Sequence, residues 1–576
     1  MKVIKRKAKK VKKLIMRKYI ALSFIALSIG LVSCDDWLDK LPDNRMELNS
    51  PSDISDLLVS AYATAHPAYL LEMYSDNTDE CINTGWSEAD RFQRQAFRWN
   101  DITEINGSET PQNLWNSYYA AVAAANASIE HIESQSPEKQ KDYQSQLGEA
   151  LICRAYNMFM LSLVFCNAYT TENAAKEYGL PYPTKTETKV GQQYERGTLA
   201  ELYANIEKDL LRGLPLLTNV YSKPKFHFNI DAGNAFAARF YLYYCQPEKT
   251  IQYANKVLGS NAAAKLRDWD SYDALNANGM IQPEAFVNAN ERANLMLQVV
   301  YSQWGAVHGP YRLGERYAHG RTVSTYETMQ STGPWGASRD FKYTVWYNDA
   351  LSKYIFRKVP YEFEYTDLQA GIGYAHAEYA VFTTDVLLME RAEAYALTGN
   401  LEAAVNDMNT ELSAFHSNPS KLTVQNVTNF YNNIDYYQPY SYTKTEKDGN
   451  GHDVDVTLRP TPKKHLHPVF TTIDADGSEQ ESVLQCVLHL KRILTLHEGF
   501  RLQDIKRYGI TMYRRVMTSN YEISQITDTM EVGDKRLAIQ LPQDVMTAGL
   551  EGNPRAEISQ EGNEVSMSVV VDHIDN

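Results

Sequence analysis

Apolar positions in residues 114–133 fall on one side of a helix: Trp115, Tyr118, Val122, Ala125, Ile129 and Ile132 recur at alternating spacings of three and four. That period matches the α-helical turn and predicts an amphipathic helix. Residues 199–217 repeat the pattern through Leu199, Leu202, Ile206, Leu210 and Leu214, and Pro215 ends the regular helix. Residues 147–166 are apolar nearly all round, through Leu147, Leu151, Ile152, Phe159, Leu161, Leu163 and Phe165, as expected of a central, buried helix. Arg154 within it therefore needs a carboxylate partner.

Further helices come in pairs. In 387–412, Ala392, Tyr395, Gly399, Leu401, Ala404 and Met408 follow the small, aromatic, glycine-turn, apolar, small, apolar order of a tetratricopeptide unit. A second unit over 236–258 fits less well, with Cys245 at the turn and Thr250 at the small position. The expected fold is mainly α, a tetratricopeptide-like scaffold of helical pairs carrying long irregular loops. Those loops are 67–112, 262–375 and 415–482. The first two are crowded with aromatics and read as ordered functional loops, whereas 441–480, rich in Asp, Gly, Lys and Thr, reads as solvated. The polar tail 556–576 is expected to be flexible.

Charge changes the picture at the N-terminus. The first 33 residues hold ten of the 57 Lys and Arg and none of the 71 Asp and Glu, and the whole chain still carries −14. The acidic body is poorly suited to nucleic acid. The basic start runs into an apolar stretch, Tyr19 to Val32, shorter than the roughly 20 residues a bilayer span needs. Small residues and Cys34 follow, so residues 1–33 read as an export signal. Leu31-Val32-Ser33-Cys34 resembles the bacterial lipobox, which makes Cys34 the lipidated N-terminus of the mature protein and 34–576 a single domain. Met16 is an alternative start. Of the five remaining cysteines, an odd number in an exported chain, Cys153 and Cys166 lie about 20 Å apart on one helix, too far to bridge. All five read as small buried hydrophobes.

Asp35-Asp36-Trp37-Leu38-Asp39 with Pro42 follows the lipobox-like run; Trp115 to Tyr119 with Asn126, Gly148-Glu149-Ala150 with Arg154-Ala155-Tyr156, and Arg196 with Ile206 to Leu210 come next. Glu393-Ala394 with Gly399-Asn400, then Glu498-Gly499-Phe500-Arg501, Asp504-Ile505 and Arg507-Tyr508-Gly509, complete the series. The order of these motifs resembles the SusD/RagB family of Bacteroidota outer-membrane lipoproteins. Leu494 stands where the family usually has an acidic residue, so one of its ion pairs is expected to be absent. The resemblance implies a helical half supporting an irregular half with ligand-binding loops, surface display on the outer membrane, and a role as a hinged lid over a SusC-like TonB-dependent transporter. It also implies binding of an oligosaccharide, or in some branches a peptide, with no chemistry performed.

Other chemistry finds little support. Glu498, Arg501 and Asp504 share a helical face, but Arg501 between the two acids reads as an ion network rather than a catalytic pair, and Glu149 with Arg154 reads likewise. His497-Glu498 lacks the second His of a zinc helix, Gly371 and Gly373 lack a third glycine, and Asp448-Gly449-Asn450-Gly451 has Arg459 where a calcium loop needs Glu. His465 and His467 read as loop surface. No cofactor or metal is expected.

The aromatic loops are the informative feature, because sugars lay their C–H faces on indole and phenol rings while Arg, Asn and Asp satisfy hydroxyls. Tyr numbers 39, against 18 Phe and 8 Trp, which suits such surfaces. Candidate ligand-binding residues are Trp86, Arg98, Trp99 and Asn100 in the first loop and Trp304, Tyr311, Arg312, Trp335, Trp346 and Tyr347 in the second. The expected function is glycan capture for transport; a peptide binder, a secreted glycoside hydrolase and a protein-binding scaffold are the rivals.

Overall fold

The computed structural model describes residues 48–81, 91–187, 192–276, 279–307, 316–348, 352–518 and 522–555. Cys34 and the rest of the opening motif, Trp86, Tyr311, Arg312 and the tail 556–576 lie outside them. Chain contacts divide the protein into two units, Met1–Ile54 and Ser55–Asn576. In the first, the Asp53 carboxylate accepts from the Ser50 amide at 2.8 Å and the Ser50 hydroxyl accepts from the Asp53 amide at 3.3 Å, a reciprocal helix cap.

The second unit is built on the expected helices: α1 (Pro111–Ser134), α2 (Gln144–Phe165), α3 (Leu199–Gly213), α4 (Ile230–Tyr243) and α5 (Pro247–Leu258). They are followed by α6 (Arg321–Glu327), α7 (Thr384–Leu397), α8 (Leu401–Phe415), α9 (Val424–Asn432), α10 (Glu479–Leu494) and α11 (Arg501–Tyr508). Thr110, Thr198, Asn229, Thr383, Asn400, Thr423 and Ser478 each accept an amide N–H at a helix start, the side chains that orphan N-terminal donors require. α1 and α3 pack on either side of α2, and α5 and α8 on α7, which also carries α10. The stretch Pro137–Phe165 is apolar enough to cross a membrane, yet 94% of its most apolar window is inside the protein. It is the central helix its uniform hydrophobicity implies.

The two helical pairs share a turn. In α7–α8, Gly399 has φ +77°, and in α4–α5 Cys245 takes φ +60° at the same place. The next amide donates five residues back in both, Asn400 to the Tyr395 carbonyl and Gln246 to that of Tyr241, each at 2.9 Å. Cys245 thus adopts a backbone that L-residues avoid at roughly 1 kcal/mol, held by the packing of both helices. Thr250 and Ala404, at the helix crossings, are fully buried. Of the five described cysteines none is in a disulfide, and all but the half-buried Cys245 are buried.

The long loops contain more structure than their sequence pattern suggests. A four-stranded sheet runs β11 (Ile523–Met530), β10 (Met512–Met517), β1 (Asp79–Cys81), β3 (Tyr317–Ala318), with β1 and β10 parallel and Glu80 opposite Val516. A three-stranded antiparallel sheet has the order β2 (Asn294–Tyr301), β7 (Ile372–Thr383), β6 (Glu362–Asp367). Hairpins β4 (Trp346–Asn348) with β5 (Lys353–Ile355) and β8 (Tyr442–Lys447) with β9 (Asp453–Leu458) are further pieces, and a short hairpin pairs Thr332–Gly333 with Gly336–Ala337 around Trp335. The hairpin β8–β9 occupies the segment expected to be merely solvated. Asp448 caps its turn, accepting from the Asn450 and His452 amides at 2.8 Å each.

Buried ion pairs lock these pieces together. Arg154 on α2 donates to both Asp209 oxygens on α3, at 2.6 and 2.7 Å, and to Asn126 on α1 at 2.8 Å. The expected networks within single helices do not form, because each charge finds a partner distant in sequence. Glu149 meets the His227 ring at 2.8 Å and the Tyr62 hydroxyl at 2.6 Å rather than Arg154. Arg501 pairs with Asp76 at 2.7 Å, Asp504 with Lys491 at 2.6 Å, and Glu498 with Lys358 at 2.7 Å. Lys358 also donates to the carbonyl of Leu494.

Candidate ligand cleft

An open hollow lies on the irregular half, beside α6. Its first residue, Arg321, and Thr325 one turn on share a side, as do Thr322 and Tyr326, so the helix aims one strip of polar and aromatic side chains into the space. The hairpin β4–β5 supplies the opposing ring pair, Tyr347 directly across from Tyr354, with ring centres 5.8 Å apart and planes 19° from parallel. Tyr354 is buried, whereas Tyr347 is 61% exposed and presents a phenol face. Gln330, Arg339 from the turn Ser338–Asp340, Arg459 just after β9 and Glu522 at the start of β11 close a cleft of about 580 Å³. The Arg459 guanidinium lies 5.8 Å from the Tyr326 ring centre.

The helix beside this cleft is anchored by buried charges. Glu327, which ends α6, is fully buried and accepts from Arg515 and Lys464 at 2.7 Å and from Arg492 at 3.2 Å. Arg515 continues to Asp79 on β1 at 2.7 Å. Burial alone would raise the Glu327 carboxyl, but Lys464, Arg515 and Arg492 around it hold it down at about 2. Four segments far apart in the chain are thereby tied to the helix that carries Arg321 and Tyr326.

Of the expected ligand-binding residues that are described, Tyr347 alone lines this cleft. Trp86, Tyr311 and Arg312 fall outside the described residues. Trp99, Trp304 and Trp335 are 2%, 3% and 0% exposed and pack inside the protein, which corrects their assignment as ligand platforms. The Trp99 indole donates to the Tyr74 carbonyl at 2.9 Å and lies between the Arg514 and Arg536 guanidiniums, 4.1 and 5.5 Å from its ring centre. Trp304 stacks on Tyr69 at 4.6 Å and donates to the His497 carbonyl at 2.8 Å. Trp335 folds back beneath its own hairpin, where a Cβ on Gly333 would stand 2.3 Å from the indole, so glycine alone fits. Each large apolar ring is more stable in the core than in water, and here a core place is open to it. Arg98 is exposed and leans toward Glu80 at 3.6 Å, Asn100 is exposed, and Trp346 is half-buried on β4.

The residues that sequence reading missed are Arg321, Tyr326, Arg339, Tyr354 and Arg459. Arg321 and Tyr326 lie on a seven-residue helix too short to show a period, and Arg459 enters from a hairpin well downstream. A second groove of about 490 Å³ on the helical half is lined by Trp115, Tyr119, Pro181, Pro183, Tyr194 and Leu550 among others, and is the more apolar of the two. Among the described residues no cluster of three His, Cys, Asp or Glu is placed to hold a metal.

The described residues thus join helical pairs to sheets and loops that bear an open, aromatic and polar cleft. Residues 36–242 match the family model SusD-like_3, described as starch-binding associating with outer membrane. Over those residues the chain is similar to the SusD-like family. Its fold is also that of a SusD superfamily protein from Bacteroides thetaiotaomicron, at 16% identity and TM-score 0.59, covering 88% of this chain and 100% of the other. A putative sugar binding protein from Bacteroides vulgatus is similar at 17% identity and TM-score 0.56, over 88% and 99% of the two chains. A SusD-like carbohydrate binding protein from the same species follows at 13% identity and TM-score 0.54, over 87% and 96%. No curated protein matches the sequence.

Proposed function

We propose that this protein is a surface lipoprotein of the outer membrane, anchored through Cys34, that captures an oligosaccharide in the cleft beside α6. It hands that ligand to a SusC-like TonB-dependent transporter and performs no chemistry itself. The observation that carries the reading is the exposed Tyr347 ring, backed by Tyr354 and surrounded by planar donors and hydroxyls. A flat apolar face beside convergent hydrogen-bonding groups is what a pyranose ring and its hydroxyls require. The family description and the sugar-binding relatives support the same ligand class. The soluble chain beginning after Cys34 should bind glycans on an array that also displays peptides. Tyr347→Ala should weaken that binding by about 1–3 kcal/mol with an unchanged melting temperature, since the ring is largely in solvent. Peptide binding without glycan binding would replace the oligosaccharide by a peptide, and release of reducing sugar by purified protein would overturn the non-catalytic role.

A further inference from the structure

Resting on the reading of the cleft as a glycan site, we infer that its ligand is an anionic saccharide, one bearing carboxylate or sulfate groups. Three guanidiniums, those of Arg321, Arg339 and Arg459, converge on the cleft from three separate segments, against the single carboxylate of Glu522. All three arginines are exposed. Among the described residues no carboxylate pairs with Arg339 or Arg459; the one polar contact of Arg459 is to the Ser441 hydroxyl at 3.4 Å. Several other arginines are matched by a carboxylate: Arg154 by Asp209, Arg391 by Asp407 and Arg515 by Asp79, each through two parallel hydrogen bonds. Among the described residues the guanidinium forks of Arg339 and Arg459 thus face the cleft without a carboxylate, and a planar carboxylate or a sulfate fills both arms of such a fork. The net charge of the chain is −14, so a cationic cleft runs against the general field and marks a local demand. A sugar ring on Tyr347 with its acidic substituents turned toward Arg339 and Arg459 satisfies both sets of groups, and Glu522 is left to accept from hydroxyls.

The test is titration calorimetry of the soluble protein with oligogalacturonate, with sulfated galactan oligosaccharides and with neutral galactan oligosaccharides of the same length. At least one anionic series should bind about tenfold or more tightly than the neutral one, and that advantage should shrink when NaCl is raised to about 0.3 M. The carboxylate and sulfate arms identify which anion the forks take. Arg339→Gln with Arg459→Gln should lower the anionic affinity about tenfold or more and bring the anionic-to-neutral ratio toward one. A melting curve confirms that this variant, altered at two exposed positions, is folded. Equal affinity for neutral and anionic oligomers overturns the inference and leaves the glycan reading standing. If no saccharide binds, and Tyr347→Ala behaves as the parent on the array, both fall together.

Discussion

Tyr347 and Trp335 lie twelve positions apart in one aromatic-rich loop and have opposite fates. Tyr347 is held at the surface by its strand pairing with Tyr354, while Trp335 is enclosed by Phe341, His489 and its own turn, with ring centres at 6.0 and 5.0 Å from the first two. Trp335→Ala removes a whole buried indole and should cost about 3–5 kcal/mol, seen as a large fall in melting temperature. Tyr347→Ala should leave the melting temperature in place and take affinity instead. An unaltered melting temperature in Trp335→Ala would put that indole outside the core. Trp99 shows how strongly tertiary packing can dictate a residue: its backbone sits at φ +52°, unfavourable for a bulky side chain, so that the ring can enter between two arginines.

Between elements, the decisive contacts are buried charges. Glu393 on α7 accepts from Lys491 on α10, and from Arg507 on α11, at 2.6 Å each, and Tyr508 adds a hydroxyl at 2.9 Å. Burial would raise its carboxyl, but Arg507 and Lys491 hold it at about 2, against 4.5 when unperturbed. A depressed carboxyl stabilises the fold at every pH above 4.5, and that contribution, on the order of 3 kcal/mol, is lost as pH falls from 4.5 toward about 2. Glu72 acts in the opposite sense. Burial raises it to about 7, so its contribution is present below pH 4.5 and lost as pH rises through about 7. Glu393→Gln should therefore destabilise the neutral protein by about 3–5 kcal/mol, by stranding two cations, and should flatten the acid limb of a melting-temperature profile. A variant that melts like the parent at neutral pH would show that the three helices do not depend on this pair.

For the whole molecule, the helical stack and the ligand cleft occupy different parts of one chain, and this division suits a protein that holds a ligand while docked to a partner. Under the proposed role, Cys34→Ala protein should leave the outer-membrane fraction, because Cys34 is the thiol that the lipobox-like sequence would present for acylation. A mutant that still partitions into detergent like the parent would end the lipoprotein proposal. Affinity purification from membranes of the native host should recover a large β-barrel transporter in mild detergent, and Tyr347→Ala protein should recover it equally. Isolation of the protein alone would favour a free-standing binder.

The helices were readable because each amphipathic period is local: Trp115 to Ile132 and Leu199 to Leu214 need only a 3.6-residue turn and an apolar interior to take their places. The need of Arg154 for acceptors was equally plain, since a buried guanidinium without them is costly. That the carboxylate is Asp209, and that Glu498, Arg501 and Asp504 face three different partners, depended on which helices pack together. The cleft was the least legible part. Composition marked the aromatic loops as binding surface, yet burial and exposure of an aromatic ring are both favourable in the right surroundings, and the fold alone assigned Trp335 inward and Tyr347 outward. Arg321, Arg339 and Arg459 share no period and no motif. They meet because α6, a short turn and the hairpin β8–β9 are anchored to one framework, and long-range packing is information that no local pattern carries.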